Sequence, residues 1–390
     1  MHACAVRIET VERRERLLEI VDEWRDLGAA AGEANIFFEP MAILPALDFP
    51  PPPGLVFFVA WGGDAGGRRQ LIGMLPVTRW ERKLGFLLPR GIESWDYRLR
   101  ACGEPLVRAG HERAFWSALF SFVDSQRGAA FLRLPQLHVE SASTKALCEL
   151  AAELERPLHI TRRLERAMLR GPVRKEEYLK TLSSKGLANY RRRRKKLEAL
   201  GTVTSERLQE ADGDAAAWFE DFIAMEGRGW KGRSGVAAAS TPFMESFTRK
   251  LLGEAHAEGR LDLRRLRLDG KTISMIAYVE TGRTAISFKI TYDEAYAPYS
   301  PGVLLHMDHL DHALELDWVD SCATPGHPMY ERIWTGKLPL ATFMIPADRP
   351  LARIACAAEQ AIRGAASRLR KRATGLKHGL RADSSSGKNL

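Results

Sequence analysis

The sequence has few of the features that stabilise small secreted domains. It contains five cysteines in 390 residues, widely spaced and without a CxxC pair, which argues against a disulfide scaffold or a zinc ribbon. The longest uninterrupted apolar run, Leu55–Trp61, is far shorter than the ~20 residues of a membrane-spanning helix. Charged residues near the N-terminus leave no apolar core for a signal peptide. We therefore expect a cytoplasmic protein without a transmembrane segment.

Positive charge is concentrated in two places. The net charge is +9, but residues 349–390 alone carry ten Lys or Arg against two acidic residues. A second cluster, Lys185–Lys196, holds seven cations and no anion. The rest of the chain is mildly acidic, so the sequence does not predict a general nucleic-acid-binding surface, and we expect no DNA partner.

Hydrophobic periodicity predicts an α+β fold with mixed twisted sheets flanked by helices. Beyond residue 171 the pattern runs from helices to a three-strand meander at 261–268, 271–280 and 284–291. Asp269-Gly270 and residues 281–283 are hairpin signals between these strands. A helix over about 300–316, a strand at 318–322 and a last strand near 340–345 follow.

The first half shows a weaker version of the same order, which predicts a duplicated module, with two unrelated α+β domains as the alternative. We place the first domain at 1–170 and the second at 171–346, with the boundary at Gly171-Pro172. Residues 347–390 are expected to form a basic helical tail with a disordered end. Its helix either contacts anionic lipid at the inner face of the membrane or packs on the protein.

Three segments of the second half resemble the CelD/BcsL-like, FemABX-related acetyltransferase domain of the GNAT superfamily. Residues 182–198 resemble its LSxKxRxNxRRxxxxLE element, and residues 229–232 resemble its WKG element. Residues 292–302 resemble its YDExYxxYSPG signature. The resemblance extends over about 175–346 and implies a tandem GNAT-like fold, the first domain being a degenerate copy. It also implies that an acyl donor is held where two neighbouring strands separate.

The resemblance implies acetyl-CoA or another acyl-CoA as co-substrate, with no metal. The donor's extended arm is expected along the strand residues Phe288, Lys289 and Ile290. Its pyrophosphate is expected at Ser300, Pro301 and Gly302, because a helix N-terminus presents unpaired N–H groups and Ser300 is a credible N-cap. Ordinary capping without a ligand is the alternative. The segment has one glycine where the usual GNAT loop has more, so aminoacyl-tRNA, the donor of FemABX relatives, stays open.

The basic run Arg191–Lys196 covers every face of its predicted helix. Like charges four residues apart destabilise a helix by a few tenths of a kcal/mol each, so an anionic ligand would relieve the repulsion. The functional interpretation is a contact, led by Arg191 and Arg192, to a phosphate-bearing donor, to tRNA or to anionic lipid. The alternative is a solvated helix face.

Residues 320–334 resemble the GDEPYKxxW element of the same family. The chain keeps Gly326, Tyr330 and Trp334 but has His327 and Glu331 at the acid and lysine positions. We expect His327 to act as general base, Tyr330 to protonate the leaving thiolate and Glu331 to orient the base or bind the amine. A loop histidine without chemistry is the alternative. Cys322 is a weaker candidate nucleophile because it ends a predicted buried strand.

Asp293 and Glu294 directly follow the predicted donor-binding strand and are alternative bases or amine anchors. Four aromatic or basic side chains are expected on the acceptor side of the cleft: Trp230, Lys231, Tyr292 and Tyr296. Histidines at 306, 309 and 312 recur at a spacing of three, but without an HExxH pattern we expect no metal.

The sequence therefore predicts a cytoplasmic N-acyltransferase. It would move an acyl group, acetyl as first choice, from acyl-CoA to a small-molecule or sugar-linked amine in polysaccharide or cell-envelope biosynthesis. Aminoacyl transfer from tRNA is the second hypothesis, and a non-catalytic GNAT-fold binding module is the third.

Overall fold

The computed structural model describes residues 6–63, 67–80, 90–126, 128–208, 214–228 and 241–364. Within these ranges thirteen strands form one continuous sheet. The strands are β1 Arg7–Val11, β2 Leu55–Gly63, β3 Arg69–Trp80, β4 Gly91–Ser94, β5 Leu106–Val107, β6 Phe131–His138, β7 His159–Arg170, β8 Val203–Arg207, β9 Leu261–Leu268, β10 Lys271–Thr281, β11 Thr284–Tyr292, β12 Trp318–Asp320 and β13 Gly336–Pro346. Their order is β1-β2-β3-β4-β6-β13-β7-β12-β11-β10-β9-β8, with β5 paired to β3.

Helices cover both faces of this sheet. They are α1 Arg14–Glu19, α2 Val21–Ala30, α3 Pro40–Ala46, α4 Glu112–Ser125, α5 Ala142–Glu153, α6 Lys175–Thr181, α7 Ser184–Glu198, α8 Ala215–Arg228, α9 Pro242–Ala257, α10 Pro301–Asp308, α11 Leu310–Ala313, α12 Tyr330–Ile333 and α13 350–364. Short 3-10 helices occur at Ile36–Phe38 and Glu294–Tyr299. No helix within the described residues is long and apolar enough to cross a lipid bilayer.

The predicted meander is confirmed as β9, β10 and β11, which pair antiparallel in chain order. The turn between β9 and β10 places Asp269 at φ 48° and Gly270 at φ 80°. Positive φ at both central residues is typical of the type I′ turn that joins twisted strands, which explains the Asp-Gly pair.

Two predicted elements of the second half are shorter than expected. The helix over 300–316 divides into α10 and α11 at His309, whose ring turns inward and contacts Asp262 at 3.0 Å (Nε2 to Oδ2). The strand predicted to reach Cys322 ends at Asp320. Asp320 accepts the Cys322 N–H at 2.9 Å, and Cys322 adopts φ 49°, which turns the chain out of the sheet.

The last strand, β13, lies between the two halves of the sheet. It pairs antiparallel with β6 on one edge and with β7 on the other. The strand β7 was not predicted, because charges on both of its faces hide the alternation of a half-buried strand. The last strand among the described residues therefore lies between two first-half strands, and β7 in turn pairs with β12 of the second half.

Buried side chains form two main clusters. The larger core combines first-half residues such as Trp24 and Phe58 with Phe222 and Phe247 from α8 and α9. The second core lies under α6, α7, α10 and α12 and includes Leu304. Because second-half helices contribute to both clusters, the core does not divide at residue 170, and the domain boundary itself stays a prediction.

The described part of the C-terminal tail is helical, as expected, but its apolar side chains do not all face the protein. Leu351 and Ile354 of α13 are 80% and 67% exposed, whereas Ala352 and Cys356 are buried. Two large apolar side chains of this helix therefore point away from the protein. Residues 365–390 of the predicted tail lie outside the described residues.

Candidate active site

The parallel strands β11 and β12 separate after a short contact. They share three residue pairs, the last being Ile286 with Asp320. β11 continues for six residues beyond this pair, while Ser321 donates its N–H to the Ala167 carbonyl of β7 at 3.3 Å. Within the described residues, the β12-facing edge of β11 from Ser287 onward has no strand partner. This edge, 287–292, is called the strand gap, and it confirms the predicted separation of neighbouring strands.

A buried ion pair holds the chain at the start of the strand gap. Arg166 of β7 donates Nε to Asp320 Oδ1 at 2.6 Å and Nη2 to Oδ2, and both side chains are 3% exposed. Arg166 also donates to the Ala101 carbonyl at 2.7 Å. The same Asp320 carboxylate accepts the Cys322 N–H, so the ion pair stabilises the turn that carries the chain away from β11. Burial raises the pKa of Cys322, which favours its thiol form over a nucleophilic thiolate.

Tyr330, the predicted acid, lies at the strand gap. Its hydroxyl is 2.7 Å from Ser287 Oγ, and both residues are buried. Burial raises the pKa of Tyr330, so the phenol is protonated at neutral pH, as a general acid has to be. The Tyr330 ring packs against Trp334 with centroids 4.8 Å apart and against His306 at 5.1 Å.

His306 belongs to this cluster rather than to a metal site. Its Nδ1 lies 2.5 Å from the Tyr278 hydroxyl. Burial lowers the pKa of His306 to about 3, so the ring is neutral and its Nδ1 accepts a hydrogen bond from the Tyr278 hydroxyl. Its Nε2 is buried and has no hydrogen-bond partner within the described residues. The sequence placed His306 on a histidine stripe but did not connect it to Tyr330.

The other two histidines of the stripe belong to a charged network. His309 Nε2 contacts Asp262, and His312 Nε2 is 2.7 Å from Glu280 Oε1. Ligand-type atoms of Asp262, Glu280 and His312 lie within 4.8 Å of one another. However, Arg207 and Arg264 also bind Asp262 Oδ1, at 2.8 and 3.0 Å, and supply its counter-charge. The network is thus held by ion pairs.

The predicted base His327 lies beside Tyr330. It is on the loop between β12 and α12, and the two ring centroids are 5.3 Å apart. Glu331, the next predicted residue, has a side chain that is 29% exposed and forms an ion pair with Lys337, which lowers the pKa of Glu331. The structure therefore brings His327 and Tyr330 together, while Lys337 neutralises Glu331.

The acidic residues after β11 face a different cavity. Asp293 accepts the Ala295 N–H at 3.1 Å and forms an ion pair with Lys271 at 2.8 Å. The hydrogen bond from Lys271 lowers the pKa of Asp293, which makes it a weaker base. Glu294 and Tyr292 line the same cavity of about 230 Å³, together with Met225 and Arg228.

The start of α10 differs from the expected cap. Ser300 has φ 52°, and its side chain caps no helix N–H. Instead, Ser300 Oγ accepts a hydrogen bond from Arg193 of α7, so Ser300 occupies the predicted N-cap position without the expected side-chain capping bond. Pro301 occupies the first turn as predicted. A Cβ on Gly302 would lie 2.9 Å from Ile290 Cδ1, so glycine permits the close approach of α10 to β11.

The basic run of α7 is divided by its contacts. Arg193 reaches Ser300, and Arg194 binds Asp308 of α10 at 2.8 Å. The remaining cations are exposed: Arg191, Arg192, Lys195 and Lys196. Arg192 bonds only within its own helix in the contacts described, donating to Asn189 at 2.8 Å. Two arginines therefore position α10, and four cations face solvent.

A cavity of about 380 Å³ lies between α7, α10 and α12. Its wall includes apolar side chains such as Leu187, Leu304 and Ile333, and its polar lining includes Asn189 and Arg193. Mostly apolar walls with a few convergent polar groups are typical of ligand sites. The cavity therefore lies next to both the first turn of α10 and the helix that carries Tyr330.

The remaining predicted residues are distributed along β11 and beyond. Phe288 packs on the larger core, and Lys289 forms an ion pair with Glu226 at 3.1 Å. Tyr296 packs on the second core near Lys271, whose Nζ is 5.1 Å from its ring centroid. Trp230 and Lys231 lie outside the described residues.

Comparisons with known proteins agree with this geometry. A family model described as an acetyltransferase (GNAT) domain matches residues 184–324. The crystal structure of FemX has a TM-score of 0.57 at 11% identity, covering 89% of this chain and 99% of FemX. A conserved protein of unknown function from Bacteroides thetaiotaomicron has a TM-score of 0.50 at 10% identity, covering 84% and 97%. No curated protein matches.

These similarities show the fold. The chain has a GNAT-type α/β fold of the kind seen in FemX, which confirms the predicted fold class. The match to the GNAT domain extends from α7 to just beyond β12 and includes the strand gap and α10.

Proposed function

We propose that the protein is an N-acyltransferase that moves an acyl group, acetyl as first choice, from acyl-CoA to an amine. The observation that supports this most is the strand gap beside the Tyr330 hydroxyl. An extended thioester arm pairs there with the open edge of β11 as a further strand would. The acyl carbonyl then lies near a protonated phenol, which is what a departing thiolate requires.

The chemistry requires two proton transfers. The amine nitrogen forms a bond to the acyl carbon, the C–S bond breaks, and Tyr330 gives its proton to the sulfur. An ammonium acceptor loses two protons, of which one ends on the sulfur and one in solvent. The predicted bases are His327, Asp293 and Glu294. Of these, His327 is the one that contacts Tyr330.

The phosphates of the donor fit the first turn of α10. Arg193 lies there through its bond to Ser300, and the cavity of about 380 Å³ extends from it toward α12. A guanidinium beside a helix N-terminus favours a phosphate because both supply N–H donors and positive potential. Ser300, Pro301 and Gly302 keep their predicted donor-binding role in this proposal, together with Phe288, Lys289 and Ile290 on the strand.

The acceptor in this proposal is a small-molecule or sugar-linked amine in polysaccharide or cell-envelope biosynthesis, as the CelD/BcsL-like segments imply. The predicted acceptor-side residues keep that role: Trp230, Lys231, Tyr292, Tyr296 and Glu331. Exposed Leu351 and Ile354, near the basic tail, support a peripheral position at the inner face of the membrane. We retain the tandem arrangement of 1–170 and 171–346 as part of the proposal.

Aminoacyl transfer from tRNA is the second candidate. The four exposed cations of α7 support it, because they lie near the cavity that Arg193 lines and no protein anion is described on them. A polyanionic donor would contact all four, whereas CoA would contact chiefly Arg193. The third candidate, a non-catalytic binding module, predicts no transfer at all.

Thermal unfolding and transfer assays with acetyl-CoA and aminoacyl-tRNA distinguish these candidates. If CoA is the donor, Arg193→Gln weakens acetyl-CoA binding at least tenfold, while the fourfold Gln variant at 191, 192, 195 and 196 changes it little. If tRNA is the donor, the fourfold variant removes salt-dependent binding and transfer. Binding of either donor without transfer to any amine would contradict the enzymatic proposal.

A further inference from the structure

A small cavity with mostly apolar walls and a few polar side chains lies between the two halves of the chain and has no role in the proposal above. The first half contributes Glu33, Asn35, Cys102 and His138 to its wall, and the second half contributes Ile286, Trp318, Asp320 and two leucines of β13. The cavity measures about 20 Å³. This is room for one water-sized group, which is also the size of a primary ammonium head.

His138, the last residue of β6, is held in place at two points. Its Nδ1 lies 2.9 Å from Glu33 Oε1, and its backbone N–H donates to Glu104 Oε2 at 3.0 Å. Glu104 is itself buried and accepts from the Ser141 hydroxyl at 2.8 Å. The side chains of His138 and Glu33 are 13% and 15% exposed. Two carboxylates therefore fix both the backbone and the ring of this histidine.

This arrangement assigns the His138 tautomer. A carboxylate can only accept, so Nδ1 carries the proton and donates it to Glu33, and the lone pair is on Nε2. Nε2 is buried and has no hydrogen-bond partner within the described residues. An oriented imidazole whose lone pair accepts no hydrogen bond from any described residue, lining a small cavity, is the arrangement required of a general base.

The cavity and Tyr330 lie on opposite faces of the sheet at the same point. Ile286 lines the cavity and packs in the larger core, while the next residue, Ser287, bonds Tyr330 in the second core. Successive strand residues face opposite sides, so the strand gap begins between the two sites. In acyl transfer the amine adds to the acyl carbon and the thiolate leaves from the resulting tetrahedral intermediate, so a base and an acid serve two different groups on that carbon.

We propose that Glu33 and His138 form the site that receives and deprotonates the amine acceptor, on the face opposite Tyr330. This inference rests on the proposed acyl transfer. His138 Nε2 takes one proton from the ammonium, and the nitrogen lone pair bonds to the acyl carbon as the C–S bond breaks. Tyr330 protonates the sulfur, and the second proton lost by nitrogen restores the phenol. Glu33, hydrogen-bonded to Nδ1, stabilises the imidazolium.

The surrounding charges favour this role. Burial lowers the pKa of His138, but the hydrogen bond and charge of Glu33, with the charges of Glu104 and Glu140, outweigh it and raise the pKa overall. The other charged group on the cavity wall, Asp320, is paired with Arg166. Among the described wall residues, Glu33 is therefore the carboxylate that forms no ion pair with an arginine, and it favours a cationic amine beside His138.

Transfer to two acceptors tests the inference, with acetyl-CoA or the donor that the assays above identify. An alkylamine is protonated at pH 7 and needs a base, whereas hydroxylamine is already neutral. We expect His138→Gln to lower kcat for the alkylamine by about 10²–10⁴-fold, with the donor KM within about twofold and hydroxylamine transfer reduced less than about fivefold. Glu33→Gln should lower alkylamine transfer by about tenfold and shift its pH profile to lower pH. His159→Gln, on β7, is the control.

The outcomes separate this inference from the proposed function. If the wild type transfers to alkylamine and His138→Gln does so equally well, or if both acceptors lose activity alike, the His138 role is wrong. If alkylamine transfer is lost in His327→Ala but not in His138→Gln, His327 is the base. If the wild type acylates no amine, the proposed function fails. NMR titration of His138 then still tests whether Glu33 and His138 form a pair. A His138 pKa that does not fall in Glu33→Gln would show that they do not.

Discussion

Removing the Tyr330 hydroxyl separates its catalytic role from its structural one. Tyr330→Phe keeps the ring contacts with His306 and Trp334 but leaves Ser287 Oγ buried without its bond. A buried polar group left unpaired costs about 1–3 kcal/mol. Unfolding entropy of about 2.1 cal/mol/K per residue over the whole chain converts this into a Tm decrease of about 1–4 °C. We expect kcat to fall by ~10²–10⁴ with donor affinity unchanged.

Tyr97→Phe is the matched control for this variant. Tyr97 is also buried, and its hydroxyl donates to the Phe37 carbonyl at 2.7 Å in the larger core, whereas Tyr330 belongs to the second core. It should show a similar Tm decrease and normal turnover. In the double variant with Ser287→Ala, the unpaired oxygen is gone, so stability should recover while turnover stays low. Equal turnover in Tyr330→Phe and Tyr97→Phe would refute the acid role.

Two further predictions concern stability. Asp320→Asn leaves the buried Arg166 charge without its counter-ion, so urea unfolding should show a free energy of unfolding lower by about 3–5 kcal/mol. In the control Asp317→Asn, which removes an exposed ion pair, the decrease should be under about 1 kcal/mol. Equal decreases would contradict the stabilising role of the Arg166–Asp320 pair. His306 has a pKa of about 3 in the folded state and about 6.5 in the unfolded state. Its contribution to the free energy of unfolding is therefore fully present above pH 6.5 and is lost as the pH falls toward 3. His306→Asn should therefore flatten the stability curve between pH 6.5 and 4.5 by up to about 1.4 kcal/mol per pH unit, and an unchanged slope would contradict this.

Local signals predicted the second half well. The hairpins at 269–270 and 281–283, the meander and the proline in the first turn of α10 all depend on neighbouring residues, and the structure confirms them. β7 was missed because its charges find partners far away in the sequence. Arg166, for example, is buried only because Asp320 lies across the sheet 154 positions later.

The site was predictable to the same extent. Tyr330 and the end of β11 were identified from short motifs within one segment. Ser287 and Arg193 were not singled out, because their importance depends on Tyr330 and Ser300, which are 43 and 107 positions away. His138 follows an ordinary apolar strand and shows no local sign of its contacts with Glu33 and the cavity. Only the assembled sheet brings these residues together.

The position of β13 has a consequence for biosynthesis. Strand β6 is complete early in translation, but its neighbour in the sheet is the strand that ends at Pro346. Until that segment leaves the ribosome, the edge of the nascent N-terminal sheet is open to association with other chains. A nascent chain released before residue 346 would keep this unpaired strand edge. Chaperone binding should therefore be strongest on such truncated products and decrease once β13 has paired with β6.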